Sequence, residues 1–262
     1  MRKILFGLAA ICLLAPALPA QAHFGMILPS EQVVLQAEHN TITLDLKFWH
    51  PFANIGLDLD KPRALYAMRR GERADLLPGL RECKERGHTA WQASYTLDRP
   101  GLYAFVLEPE PYWEPEENCF IIHHAKAYAA AFGDDEGWDE PLGLKAEIVP
   151  LVKPYGLYAG NLFQGRVLLD GKPVPGAAVE VEFYPGPDLA GQAPHPMMTA
   201  QTVKADDSGI VAYVLPWAGW WGFAALHTAD QSLMREGRAK RVELGAVIWL
   251  RAHDAPQFRP VR

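Results

Sequence analysis

Cysteine is scarce in this chain: three among 262 residues, at 12, 83 and 119. That is too few for a disulfide-dense scaffold or a thiolate cluster. Basic residues are outnumbered, 25 Lys and Arg against 31 Asp and Glu, for a formal charge of −6. A chain without a basic footprint is a poor nucleic-acid binder. After the first 22 residues no apolar run is long enough to span a bilayer. There is no serine-hydrolase elbow, no phosphate loop and no Cys–His nucleophile pairing. Acidic pairs such as Glu116-Glu117 and Asp134-Asp135-Glu136 read as solvated loop, not as the paired carboxylates of a glycosidase. No internal repeat or low-complexity linker is visible. What remains is an acidic chain with little to say about catalysis, and an unusual start.

Met1-Arg2-Lys3, an apolar stretch from Ile4 to Leu18, and Pro19-Ala20-Gln21-Ala22 make a secretory signal peptide with a cleavage site after Ala22. The predicted mature protein therefore begins at His23. It is soluble, periplasmic and carries a charge of −8 once Arg2 and Lys3 are gone. A histidine at the first position has its α-amine and imidazole on one residue, and the pair chelates one metal ion. An N-terminal amine, with a pKa of roughly 8, deprotonates far more readily than a backbone amide. Cys12 leaves with the leader. Cys83 and Cys119 remain, an even pair in an oxidising compartment, and are read as one disulfide contributing about 3–4 kcal/mol.

The mature sequence reads as strands and turns, an all-β chain. Thr41 to Phe48 alternates, with Ile42, Leu44, Leu46 and Phe48 on one face. Trp91 to Leu97 and Leu102 to Leu107 are two further strands about the turn Asp98-Arg99-Pro100-Gly101. Cys119 to Ala131 suits a strand, although its alanines also suit a helix. Phe52 to Arg81 shows no period and is expected to be a long loop with short helical turns. The acidic, Gly-rich stretch from Gly133 to Gly143 places a boundary near Leu144. Beyond it Asn161–Leu169, Ala177–Tyr184, Ile210–Leu215, Trp220–Leu226 and Val242–Leu250 are short strands with turn signals between them, the pattern of a Greek-key sandwich. The expected organisation is a signal peptide over 1–22 and two β-sandwich domains. One spans 23–145 and holds the metal site; the other, over 146–262, is immunoglobulin-like or transthyretin-like.

Two more histidines stand out. His50 ends the alternating strand on its apolar face, at the rim. In Cys119-Phe120-Ile121-Ile122-His123-His124-Ala125-Lys126, strand parity turns His123 inward with Ile121 and Ala125. His124 falls on the other side with Lys126, which marks that side as wet. His39, His88, His195, His227 and His253 read as solvated or structural. A set of imidazoles with one amine suits Ni(II), Co(II), Cu(II) or Zn(II), with affinity peaking at copper. It does not suit Mg or Ca, which take oxygen donors. The aromatic clusters Tyr112-Trp113 and Trp220-Trp221 could line a ligand pocket or carbohydrate platform; packing is the preferred reading.

Several of these segments together carry a resemblance. Ala22-His23-Phe24-Gly25-Met26, Phe48-Trp49-His50-Pro51-Phe52, Pro111-Tyr112-Trp113-Glu114-Pro115, Phe120-Ile121-Ile122-His123, Gly160-Asn161-Leu162-Phe163-Gln164-Gly165, Ala218 to Leu226 and Glu243 to Trp249 are similar to the DUF4198 proteins. That family includes NikK-like periplasmic components of nickel and cobalt uptake systems. The resemblance implies an exported protein that binds Ni(II) or Co(II) as cargo, through His23, His50 and His123, and passes it to a membrane uptake transporter; it implies no enzyme. Family members often have an aromatic where this chain has His124. Two other readings stay open: a copper oxidative enzyme built on an N-terminal histidine brace, and a structural or adhesion module in which the histidines only pack.

Overall fold

The structure is a computed structural model that describes residues 23–35 and 39–257, apart from the side chain of Pro196. The expected signal peptide, 1–22, lies outside the described residues. Among those described there is no α-helix, only short 3-10 turns between strands. Among the described residues no helix is long and apolar enough to cross a membrane.

The strands form three layers. The first is a sheet in the order β1 (Phe24–Pro29), β3 (Thr41–His50), β8 (His88–Thr96), β7 (Arg81–Glu85), with β4 (Ile55–Leu57) added beside β3. The middle layer is the large sheet. Its order is β17 (Ala200–Lys204), β16 (Ala178–Tyr184), β19 (Gly219–Thr228), β22 (Val242–His253), β11 (Cys119–Ala131), β9 (Gly101–Glu108), β5 (Ala64–Arg69), β6 (Glu72–Asp75). Three short strands join it: β2 (Val33–Val34) and β10 (Tyr112–Glu114) on β11, and β13 (Leu157–Tyr158) on β22. The third layer is β12 (Ala146–Pro150), β14 (Leu162–Leu169) and β15 (Lys172–Pro173), with β18 (Ile210–Val214) on β14. A small hairpin of β20 (Leu233–Arg235) and β21 (Arg238–Lys240) stands apart.

Two cores follow from the pleat, because alternate residues of a middle strand point to opposite layers. On β22, Val247 and Trp249 enter the first core, with Ile42, Leu44, Leu46 and Phe48 of β3. Leu244, Ala246, Ile248 and Leu250 enter the second, with Phe163, Val167 and Phe223. The fold is thus all-β and sandwich-built, with the middle sheet serving both sandwiches. Strands from before and after residue 145 meet in that sheet, where β11 and β22 run parallel from Phe120↔Val242 to Lys126↔Ile248.

Burial on both faces explains where the sequence pattern misleads. The segment from Phe52 to Arg81, expected as loop, holds β4, β5 and β6 and one short 3-10 turn, Leu77–Gly79. In Ala64–Arg69 three consecutive residues, Leu65, Tyr66 and Ala67, are buried, so period-two alternation is erased. Cys119–Ala131 is a strand for the same reason: small alanines let layers close on both sides. Lys126 does not mark a wet face. It is 1 % exposed and bonds Glu147, also 1 % exposed, at 2.6 Å, under the loop that carries Leu142–Leu144. The expected disulfide is also corrected, since both cysteines are free thiols. Cys83 is exposed on β7 of the first sheet, whereas Cys119 is buried at the start of β11 in the middle sheet. Sequence parity in number and compartment says nothing about which sheet a cysteine occupies.

Candidate metal centre

His23 stands immediately before β1. The β1–β3 ladder pairs Phe24 with Trp49, so continuing the register by one residue sets His23 opposite His50. Their ring centroids are 4.3 Å apart. Phe48 stacks on the His23 ring at 5.5 Å and meets the His123 ring edge-on at 6.1 Å, with Tyr112 4.9 Å from Phe48. Phe48 thus lies between His23 and His123 at the end of the first core, and His50 packs on the far ring, His23. His124 lies on the opposite face of β11, half-buried in a groove with Tyr66, Arg73, Glu108 and Lys145. His88 packs near Gly56 and Trp49, and His195 and His253 are exposed. Trp221 is buried in the second core, as the packing reading expects.

Close backbone approach brings β1 and His123 together. A Cβ at residue 25 would sit 3.1 Å from the His123 carbonyl oxygen, and one at residue 245 would sit 2.3 Å from His123 Cδ2. Glycine at both positions lets β1 lie over β11 and lets the imidazole lie flat over β22. The Trp249 indole N–H donates to the Gly25 carbonyl at 2.9 Å, which pins the strand that carries His23.

The surroundings favour a neutral His23 ring. Burial, then the neighbouring imidazoles of His50 and His123, push the His23 pKa down to about 3, against a smaller opposing pull from Glu243. Its lone pair is therefore unprotonated throughout the neutral range. His23 Nε2 lies 3.1 Å from Glu114 Oε2, and His123 Nε2 lies 3.4 Å from Glu243 Oε1. Burial raises the Glu243 pKa, but the hydrogen bond with His123 and the neighbouring His123, Arg241 and His23 outweigh it and hold the carboxyl below its usual range. His123 is 1 % exposed, and its Nδ1 is buried with no hydrogen-bond partner among the described residues. Such an orphaned nitrogen is costly unless something binds it. His123 also lines a crevice of about 20 Å³, with Phe48, Tyr112, Asp58 and Asp60 among the walls. That is room for one water-sized body. As the rings stand, no three His, Cys, Asp or Glu side chains among the described residues are set to hold a metal. The His23 ring is turned toward Glu114.

Glu114, Glu243, Gly25 and Gly245 escape a reading by residue type. Their only signal is position: Glu114 and Glu243 are lone acids in otherwise apolar strand motifs.

Behind His50 the chain is strapped to β16. Glu182 accepts the Phe52 N–H at 2.9 Å, and the Asn54 amide donates to the carbonyls of Gly186, Pro187 and Leu189 at 3.1, 3.0 and 2.6 Å. Burial above all pushes Glu182 from 4.5 to about 8, the Phe52 bond opposing and Glu180 adding to the rise. Its Oε2 is buried without a partner among the described residues. Between 4.5 and about 8 the native state holds this proton and the unfolded chain does not. Stability must then fall as pH rises through that window, by on the order of a few kcal/mol in all. Glu182→Gln, a mimic of the protonated acid, is expected to flatten the decline. Urea unfolding midpoints across the window test this; parallel profiles for the two proteins would contradict it.

No curated protein matches the chain. Among solved structures it is similar to the D0–D1 domain of intimin, at 14 % identity over 84 % of this chain and 97 % of that one, with a TM-score of 0.23. A two-domain fibronectin type III segment of chicken tenascin shows 10 % identity over 86 % and 98 %, at a TM-score of 0.21. A putative carbohydrate-binding protein from Bacteroides uniformis shows 10 % over 84 % and 99 %, at 0.22. The sequence itself matches the family described as a domain of unknown function, DUF4198, over residues 20–229. With most of its length inside that match, the chain belongs to the DUF4198 family.

Proposed function

We propose that this is an exported carrier that takes up one Ni(II) or Co(II) ion at His23, His50 and His123 and hands it to a membrane uptake transporter. The observation that carries the reading is the chain of ring contacts from His50 to His23 to Phe48 to His123, with a buried, partnerless nitrogen on His123. Cleavage after Ala22 would turn the His23 amide into an amine and add a fourth nitrogen. Borderline divalent ions favour such a donor set. The resemblance of the motifs to NikK-like components points to nickel and cobalt within that group, and to export into the periplasm. With the His23 ring neutral down to about pH 3, competition from protons falls on the amine, whose ordinary pKa is roughly 8. His123 is what favours cargo binding over a two-histidine copper brace, because a third imidazole occupies the face that a brace leaves open for oxygen. Residues 146–262 would then serve as support and docking surface for the transporter.

The test is metal accumulation in cells lacking the chain, at limiting nickel or cobalt. The expected result is a severalfold loss of uptake that wild-type protein restores and His50→Ala protein does not. Restoration by the His50→Ala protein would refute the assignment.

A further inference from the structure

The first sheet ends on an open strand. β7 pairs with β8 and, among the described residues, with no other strand. Arg81, Glu82, Cys83 and Lys84 are all exposed, and Glu85 is half-buried. An open edge invites a further strand, and chains commonly guard it with charge, lysine above all. On β7 the charges instead alternate in sign about a central cysteine, Arg81-Glu82-Cys83-Lys84-Glu85. Reversed, the segment carries the opposite sign at every charged position. It is therefore complementary to an antiparallel copy of itself.

The backbone selects the same register. Arg86 and Gly87 have φ of 50° and 87°, the two-residue turn of a tight hairpin, with Glu85 opposite His88. That closing pair exchanges both its backbone bonds, and bonding then alternates along the strand. Arg81, Cys83 and Glu85 thus turn N–H and C=O toward β8, whereas Glu82 and Lys84 turn theirs to the open side. A second copy can bond there only through its own Glu82 and Lys84. Centring the pair on Cys83 sets Glu82 against Lys84 and Arg81 against Glu85, each twice. Sliding by two residues opposes Glu82 to Glu82 or Lys84 to Lys84, and like charges directly opposite are unfavourable. Sliding by one opposes a bonding residue to one that points at β8.

The side chains have capacity left for these contacts. Among the described residues Arg81, Glu82 and Lys84 make no salt bridge to another side chain; Lys84 Nζ donates to Thr89 Oγ1 at 2.6 Å. Glu85 Oε1 accepts from Lys47 at 2.6 Å. That leaves the Lys84 ammonium two protons and the Glu85 carboxylate a second oxygen. Cys83, exposed, would lie at the two-fold axis in a pair that shares no backbone bonds. Such pairs have Cα atoms about 4.5 Å apart, inside the roughly 4.4–6.8 Å span of a disulfide.

We propose that β7 is an association edge at which two copies of the chain pair antiparallel about Cys83, with Glu82 of each against Lys84 of the other. The contact joins two first sheets into one and closes on itself, because a two-fold pairing occupies both open edges. It makes no use of the histidines, so it stands or falls apart from the carrier reading.

The experiment is thiol cross-linking of the processed chain with diamide, followed on non-reducing gels. Two Cys83 thiols form one S–S bond and give up two hydrogens, which diamide takes up in becoming a hydrazine. Wild type is expected to link into a dimer that Cys83→Ser abolishes. Any exposed thiol links by collision, so the charges carry the test. Glu82→Lys, which sets lysine against Lys84 twice, is expected to slow linking about tenfold. The same change makes an acidic chain less acidic, which by itself would speed collision. Adding Lys84→Glu exchanges the two signs, returns the net charge to that of wild type and should bring the rate back to within about twofold. No dimer in wild type, equal rates in all three proteins, or a double variant as slow as the single would overturn the proposal.

Discussion

Methionine at Lys126 is expected to destabilise the fold by about 3–5 kcal/mol, the range for stripping one partner from a buried ion pair. Lys126 and Glu147 are each 1 % exposed and their contact is 2.6 Å. Burial pulls the Lys126 pKa down, but Tyr128 and Glu147 outweigh it and keep the ammonium charged. Glu147 does more than pair. Its two oxygens also accept N–H bonds from Leu142, Gly143 and Leu144 at 2.9 to 3.3 Å, which tie the loop before β12 to the middle sheet. With Lys126 gone, a full negative charge stays in the second core against peptide dipoles alone. Adding Glu147→Gln should recover part of the loss, since glutamine still accepts from the loop and carries no charge. Denaturant unfolding checks both variants; a Lys126→Met protein within about 1 kcal/mol of wild type would contradict the account, being the size of an ordinary surface change. The folded Lys126→Met protein should keep the proposed histidine site unchanged, because Lys126 and His123 lie on opposite faces of β11.

That parity shows how far the sequence could be read. His50 was legible because β3 alternates, and it alternates because the outer side of its first half is exposed at Thr41. Strand parity sets His123 on the inner face, where the structure also has it buried, but the partner sign fails. Lys126 is not a sign of solvent; a third layer covers that face. The loop before that layer, through Leu142 and Leu144, covers Tyr66, which hides the period of Ala64–Arg69 and makes a strand look like loop. Glu114 and Glu243 could not be found at all, since their meaning depends on which strands flank β11. Parallel pairing of β11 with β22, about 120 residues later in the chain, leaves no local mark. The cysteines failed in the same way: counting them gave a pair, and the sheet order separates them.

One extra residue ahead of His23 is expected to lower Ni(II) affinity by about a hundredfold or more, a change of about 2.7 kcal/mol or greater. The extension converts the amine into an amide, which at neutral pH keeps its proton and gives up its lone pair. It also breaks the chelate ring with the His23 imidazole. Nothing else in the site need move, because the ring contacts of His23 with Phe48 and His50 belong to its side chain. A fall in affinity without a fall in thermal stability would therefore locate the effect at the terminal nitrogen.

The measurement that bears most directly on the central claim is a calorimetric titration of Ni(II) and Co(II) into the chain processed to begin at His23, beside the same chain lengthened by one residue. The account predicts one tight equivalent for the first and a weak isotherm for the second. Equal binding by both would remove the amine from the site, and no binding by the processed chain would contradict the carrier altogether.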